Sequence, residues 1–113
     1  MNQVSCLYDG YFLLDANQET NWFWIQTSLG AIQFHTDDTS AYGKLEIYKT
    51  INKTNWVKQY WINESNVIVD GYYVNGATTD LIIELKTLCE SWVKIKYIYT
   101  GGTGGINYWV RFK

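Results

Sequence analysis

The sequence predicts an all-β protein: a single antiparallel β-sandwich, jelly-roll-like, of about eight to ten short strands, with residues 1–113 forming one domain. Three observations predict it. Short runs of alternating apolar and polar residues, rich in β-branched and aromatic side chains, recur from end to end between turn signals. No window sustains an apolar stripe of helical period over three turns. Six Trp, ten Tyr and four Phe lie in a chain of 113 residues, and flat rings pack well on a pleated surface.

Taken in order, residues 4–8 and 11–14 read as opening strands on either side of Asp9-Gly10, a strong turn dipeptide. Residues 16–21 are polar and read as a loop. Residues 22–27 and 31–36 flank Ser28-Leu-Gly30 and read as a hairpin. A polar loop over 37–43 leads into 44–50, whose alternation turns Leu45 and Ile47 inward. After the polar stretch at 51–55 comes a strand over 56–62, and a brief one over 67–69. Asp70-Gly71 and Asn75-Gly76 bracket a short strand at 72–74. Residues 80–86 form another strand, and 87–91 a loop or one helical turn.

The chain closes on its most regular pattern. Residues 92–99 and 106–113 alternate on either side of Thr100-Gly-Gly-Thr-Gly-Gly105, which predicts a hairpin with a flexible glycine tip. Symmetric closure pairs Tyr99 with Ile106, Tyr97 with Tyr108, Ile95 with Val110 and Val93 with Phe112 on one wholly apolar face. Of that face, Val93, Ile95, Tyr97, Ile106, Tyr108, Val110 and Phe112 are expected to be buried. The outer face then carries Trp92, Lys94, Lys96, Trp109, Arg111 and Lys113. That register sets Lys94 against Arg111 and Lys96 against Trp109, and like charges across a ladder repel. Compensation is expected from a strand bearing Glu84 or Glu46, or from an acidic surface on another chain. Trp and Arg anchor interfaces more than other residue types. Trp92, Lys94, Lys96, Trp109 and Arg111 are therefore the candidate interface residues.

A formal net charge of −2 argues against a general nucleic-acid binder. Charge is unevenly placed: residues 1–43 carry five acids and no Lys or Arg, and the rest carries nine basic and six acidic residues. Acidic and basic surfaces could face partners or neighbouring copies. Proline is absent, so edge strands need other protection, such as charges, bulges or a covering subunit. The N-terminus shows no basic n-region with an apolar run, and no segment approaches the ~18 consecutive apolar residues of a membrane helix. Cys6 and Cys89 are far apart and in no metal-like spacing; they are expected to be reduced, in a protein made in a reducing cytosol.

Catalytic motifs are nearly absent. His35, the one histidine, has no Ser or Cys partner at a recognisable spacing and reads as structural. Cys89 is followed by Glu90, which does not activate a thiol. The glycine-rich segment at 100–105 lacks the Lys-Ser/Thr end and following helix of a phosphate-binding loop. Asp37-Asp38 offers adjacent oxygen ligands of the type calcium takes, but acidic inter-strand loops serve solubility, and we expect no metal and no cofactor. The aromatic residues carry the best binding chemistry. Trp22 and Trp24 share one strand face and Tyr72-Tyr73 lies between glycine turns, so Trp22, Trp24, Tyr72 and Tyr73 are the candidate sugar-stacking residues.

Leu45-Glu-Ile-Tyr-Lys-Thr-Ile-Asn-Lys-Thr-Asn-Trp56 resembles the strand, polar loop and tryptophan of discoidin-like and carbohydrate-binding sandwich modules, without the glycine of their turn. Val93-Lys-Ile-Lys-Tyr-Ile-Tyr-Thr-Gly-Gly-Thr-Gly-Gly-Ile-Asn-Tyr-Trp-Val110 is similar to the closing hairpin of small β-sandwich proteins on tailed-phage virions. The two elements cover about a quarter of the chain and bring no catalytic residues with them. The resemblance implies a non-enzymatic virion accessory, a capsid decoration or a fibre or tail appendage, located on the virion. Its partners would be other virion proteins and its own copies, with no membrane and no nucleic acid. The alternative is a carbohydrate-binding β-sandwich module that uses exposed aromatics.

Overall fold

A computed structural model describes residues 6–25, 29–37, 39–86 and 91–112. Among them are twelve strands and no helix: β1 (Cys6–Leu13), β2 (Gln18–Glu19), β3 (Phe23–Ile25), β4 (Leu29–Asp37), β5 (Tyr42–Thr50), β6 (Val57–Lys58), β7 (Trp61–Ile62), β8 (Ile68–Val69), β9 (Tyr72–Asn75), β10 (Thr79–Lys86), β11 (Ser91–Gly101) and β12 (Gly105–Phe112). All pairings are antiparallel. One sheet runs β1-β12-β4-β10. The other is centred on β11 and β5, with β2 and β3 on the free edge of β11 and β6 and β9 on that of β5. With the two-residue strands set aside, β1-β12-β4-β10 faces β3-β11-β5-β9. That is the strand order of a jelly roll, and the fold class expected from the sequence holds.

Alternation builds the core between the sheets. Ile32, Phe34, Ile83, Leu85, Ile106 and Val110 from the first sheet meet Phe23, Ile25, Leu45, Ile47, Val74, Val93, Ile95 and Tyr97 from the second, all buried. Leu45 and Ile47 point inward as their period predicts. Burying this continuous apolar layer supplies the main driving force for the fold.

The terminal hairpin is corrected. β11 and β12 do not pair; they lie in opposite sheets, β11 against β2, β3 and β5, and β12 against β1 and β4. Ile95 faces Ile47 along the ladder, and Val110 is flanked by Tyr8 and Ile32. Val93, Ile95, Tyr97, Ile106 and Val110 are buried as expected and Tyr108 packs against the core, whereas Tyr99 is exposed. The agreement arises because a corner between two sheets and a hairpin within one need the same thing: two amphipathic strands and a glycine-rich bend. The bend itself is pinned rather than free. Thr39 Oγ1 and the Ser40 backbone N–H both donate to the Thr103 carbonyl, at 3.0 and 2.9 Å. Gly102 has φ +78°, and a Cβ there would meet the Ser40 carbonyl oxygen at 2.1 Å.

The same correction applies to the hairpin expected over residues 22–36. β3 joins the β11 sheet and β4 the β12 sheet, with residues 26–28 outside the described set. In this topology only β5 and β9 are consecutive major strands in one sheet; every other step crosses between sheets. Asp9-Gly10 is likewise no turn, since β1 runs through it. Gly10 lies opposite Tyr108, whose ring covers it so closely that a Cβ would sit 2.3 Å from the hydroxyl.

Residues 51–71 form an insertion between β5 and β9. The single strand expected over 56–62 is split there into β6, which extends the β5 edge, and β7, which pairs only with β8. Edge protection without proline takes two forms. Exposed Asp80 and Glu84 flank the exposed Ile82 on β10, and β2 with its flanking Asn17 and Thr20 covers β11.

Candidate functional site

The sandwich has two outer faces, and they differ in construction. On the β11–β5 sheet, the outward positions of β5 are Lys44, Glu46 and Tyr48, and those of β11 are Trp92, Lys94 and Lys96. Trp22 and Trp24 flank β11 on one side, and the insertion brings Lys53, Trp56, Lys58 and Asp70 over the other. Trp24 and Trp92 face each other across the ladder, with ring centroids 4.8 Å apart. Trp56 packs edge-on to Trp22 at 5.4 Å and to Tyr48 at 5.2 Å. Such offset and edge contacts add to simple area burial.

Lysines fill the spaces between these rings. Lys94 Nζ lies 4.5 Å from the Trp22 centroid and 4.8 Å from that of Trp56, and it pairs with Glu19. Lys53 Nζ stands 3.7 Å over Trp92. Lys96 Nζ is 5.7 Å from Tyr48 and 5.9 Å from Trp56. Each ammonium lies within cation–π reach of a ring.

Glu46 is the electrostatic centre. It is 2% exposed, lies 2.7 Å from Lys58 Nζ and 3.3 Å from Lys44 Nζ, and accepts from the Tyr48 hydroxyl at 2.8 Å. Burial pushes its carboxyl up, and the hydrogen bonds from Lys58, Tyr48 and Lys44 together outweigh burial and hold it below the usual carboxylate value. Asp70 bridges the same two lysines, at 2.8 Å from Lys44 and 3.4 Å from Lys58. The hydrogen bond from Lys44 is the main cause that lowers Asp70 and, reciprocally, raises Lys44. Lys58 is raised chiefly by Glu46. Burial first, then the bond to Glu46, pushes the Tyr48 phenol up. The network ties the insertion to the sheet.

An open depression on this face is lined by Tyr48, Thr54, Asn55, Trp56 and Lys96. Its rim is rigid. Asn52 Oδ1 accepts from the backbone N–H groups of Thr54 and Asn55, both at 2.9 Å, and Thr50 Oγ1 donates to the Asn55 carbonyl at 2.6 Å and accepts from Lys53 N–H at 2.9 Å. Lys53 takes φ +64°, an uncommon conformation for a non-glycine residue and one that this bonding holds in place.

The opposite outer face, on the β1-β12-β4-β10 sheet, is built from unlinked parts. Trp109 sits between Asp9 and Gln33, with Ile82 one strand further out. Arg111 lies between Leu7 and Ala31. Asp9, Asp37, Asp80 and Glu84 are exposed, as are Tyr11, Leu13, Ile82 and Arg111. Among the described residues of this face, His35 Nδ1 and Asp80 Oδ1 are hydrogen-bonded at 2.7 Å, in a solvent-accessible contact.

The structure therefore separates the candidate interface residues. Trp92, Lys94 and Lys96 lie on one outer face, Trp109 and Arg111 on the other. The expected Lys94–Arg111 and Lys96–Trp109 juxtapositions do not occur: Lys94 faces Tyr48 across the ladder, and Lys96 faces Glu46 and Glu19. Of the two carboxylates expected to compensate, Glu46 is beside these lysines, whereas Glu84 is in the other sheet, opposite Ala31. Lys94 is compensated by Glu19, from a segment whose polarity predicts a loop.

Among the sugar-stacking candidates, Trp22 and Trp24 share the aromatic face. Tyr73 points outward, 67% exposed, with Lys44 Nζ 5.5 Å from its ring. Tyr72 turns inward beside Leu45 and packs against the core. Tyr48 was missed, although the alternation of 44–50 puts it on one face with Lys44 and Glu46. Trp56 was beyond periodicity, because a loop carries it there. Asp38, Cys89 and the Cys6 side chain lie outside what is described, as does the Phe112 side chain. Among the described residues no three His, Cys, Asp or Glu side chains form a metal-sized cluster.

Comparison with known proteins adds no relative: the chain matches no protein-family model and no curated protein sequence.

Proposed function

We propose that this protein is a non-enzymatic virion accessory, a capsid decoration or a fibre or tail appendage, that docks through one outer face of its sandwich and displays the other. The observation that carries the reading is the contrast between those faces. The β12 face sets Trp109 and Arg111, both interface-anchoring residue types, among exposed apolar side chains and acids. Such a surface suits a basic patch on a capsid or appendage protein. The β11 face spends most of its charges internally and is rigid, as a display surface should be. Jelly rolls serve as capsid and lectin domains alike, so the fold is compatible with this role without assigning it.

The test is composition of particles. Density-gradient-purified particles from the cell that makes this protein are expected to contain it in many copies and to lose it in high salt. Recovery of the protein solely in the soluble fraction, with particles free of it, contradicts the proposal.

One observation favours a second reading, a carbohydrate-binding module. The depression beside Trp56 combines ring faces with the hydroxyl of Thr54 and the amide of Asn55, the mix of apolar and polar groups that small-ligand sites use. A glycan array separates the two readings.

A further inference from the structure

We infer that the depression lined by Tyr48, Thr54, Asn55, Trp56 and Lys96 is a subsite for an acidic saccharide, a sugar ring bearing a carboxylate. The inference rests on the carbohydrate reading of the β11 face and adds the charge of the ligand.

The lysines of this face fall into two classes. Lys44, Lys58 and Lys94 each have a carboxylate partner in Glu46, Asp70 or Glu19. Lys53 and Lys96 form no ion pair among the described residues. Lys96 is half-buried at the depression, its ammonium held near the rings of Tyr48 and Trp56, and Lys53 lies on the 52–55 turn that forms the rim. Two carboxylates lie directly across the ladders from Lys96, and both are committed elsewhere: Glu46 accepts from Tyr48 and pairs with Lys58 and Lys44, and Glu19 pairs with Lys94.

An unpaired ammonium beside aromatic rings, with a hydroxyl and a carboxamide in the same recess, matches a ligand with three properties. It has an apolar ring face to lie on Trp56, which is 41% exposed. It has hydroxyls for Thr54 and Asn55, and an anionic group for Lys96; the Lys53 ammonium is already placed over Trp92. A uronic acid has all three, whereas a neutral hexose leaves the ammonium without a partner. The bonded turn over 50–55 fixes these groups before the ligand arrives, which lowers the entropic cost of binding.

The experiment is calorimetry of the full chain with oligogalacturonate, with its fully methyl-esterified counterpart, and with poly-glutamate. Oligogalacturonate is expected to bind at least about tenfold more tightly than the ester, in line with the strength of hydrogen bonds to charged groups. Lys96→Gln is expected to erase that preference, and Asn55→Ala to weaken both saccharides while leaving the fold intact by circular dichroism. Equal binding of acid and ester overturns the inference and leaves the carbohydrate reading standing. Equal binding of poly-glutamate overturns it in favour of simple charge attraction. No binding of either saccharide overturns both the inference and the carbohydrate reading.

Discussion

The two outer faces of this sandwich share one core yet are held together differently. On the β11–β5 face, a nearly buried carboxylate, two lysines, a phenol and a second carboxylate form one connected network, and lysines fill the gaps between four tryptophans. On the β12 face the acids are exposed and, apart from the Asp80–His35 contact, enter no such network among the described residues, and Trp109 has Asp9 and Gln33 as ladder neighbours rather than other rings. The lesson concerns where charge contributes to folding. A buried, multiply bonded carboxylate costs much when a partner is removed, whereas exposed charges contribute little and remain available to a partner.

Glu46→Gln should produce the largest loss on either face. The substitution keeps shape but leaves Lys58 and Lys44 beside a neutral amide, and we expect a loss of about 2–4 kcal/mol by urea denaturation. This falls short of a fully dry pair because both lysines keep some solvent contact. The pH dependence carries the same sign. Glu46 is depressed in the folded state, so its contribution is complete above the ordinary value of 4.5 and is lost as pH falls through the lowered one. Parent and Glu46→Gln stabilities should therefore converge in acid. Parallel curves down to the acid limit would show that Glu46 is not the group responsible.

Trp56→Ala comes next. It removes edge contacts to Trp22 and Tyr48 and uncovers Lys94, for an expected cost of about 1–3 kcal/mol. The counterpart on the other face is Asp80→Asn, which breaks the exposed pair with His35. It should cost less than about 0.5 kcal/mol. Comparable losses for Asp80→Asn and Glu46→Gln would erase the distinction between the faces.

Much of this was legible in the sequence. Period-2 alternation marks which side chains of β5, β11 and β12 face the core, and Leu45, Ile47, Val93, Ile95, Tyr97, Ile106 and Val110 are all buried. What alternation does not carry is partner choice. The segments before and after the 100–105 bend look like hairpin strands, but long-range pairing places β5 beside β11 and β4 beside β12. The candidate site was half legible for the same reason. Trp22, Trp24, Trp92, Lys94 and Lys96 follow from strand faces, whereas Trp56 and Lys53 reach the site through an insertion whose folding back no local pattern announces.

The division of labour between the faces is tested most directly by attachment of two sets of variants to the particle. Trp109→Ala and Arg111→Ala alter the β12 face; Lys96→Gln and Asn55→Ala alter the β11 face. Cosedimentation of the refolded, circular-dichroism-checked variants with particles stripped of this protein reads out docking. The account predicts that Trp109→Ala and Arg111→Ala stay folded but fail to sediment, while Lys96→Gln and Asn55→Ala sediment like the parent. The reverse pattern, or parent-like attachment by all four variants, would contradict it.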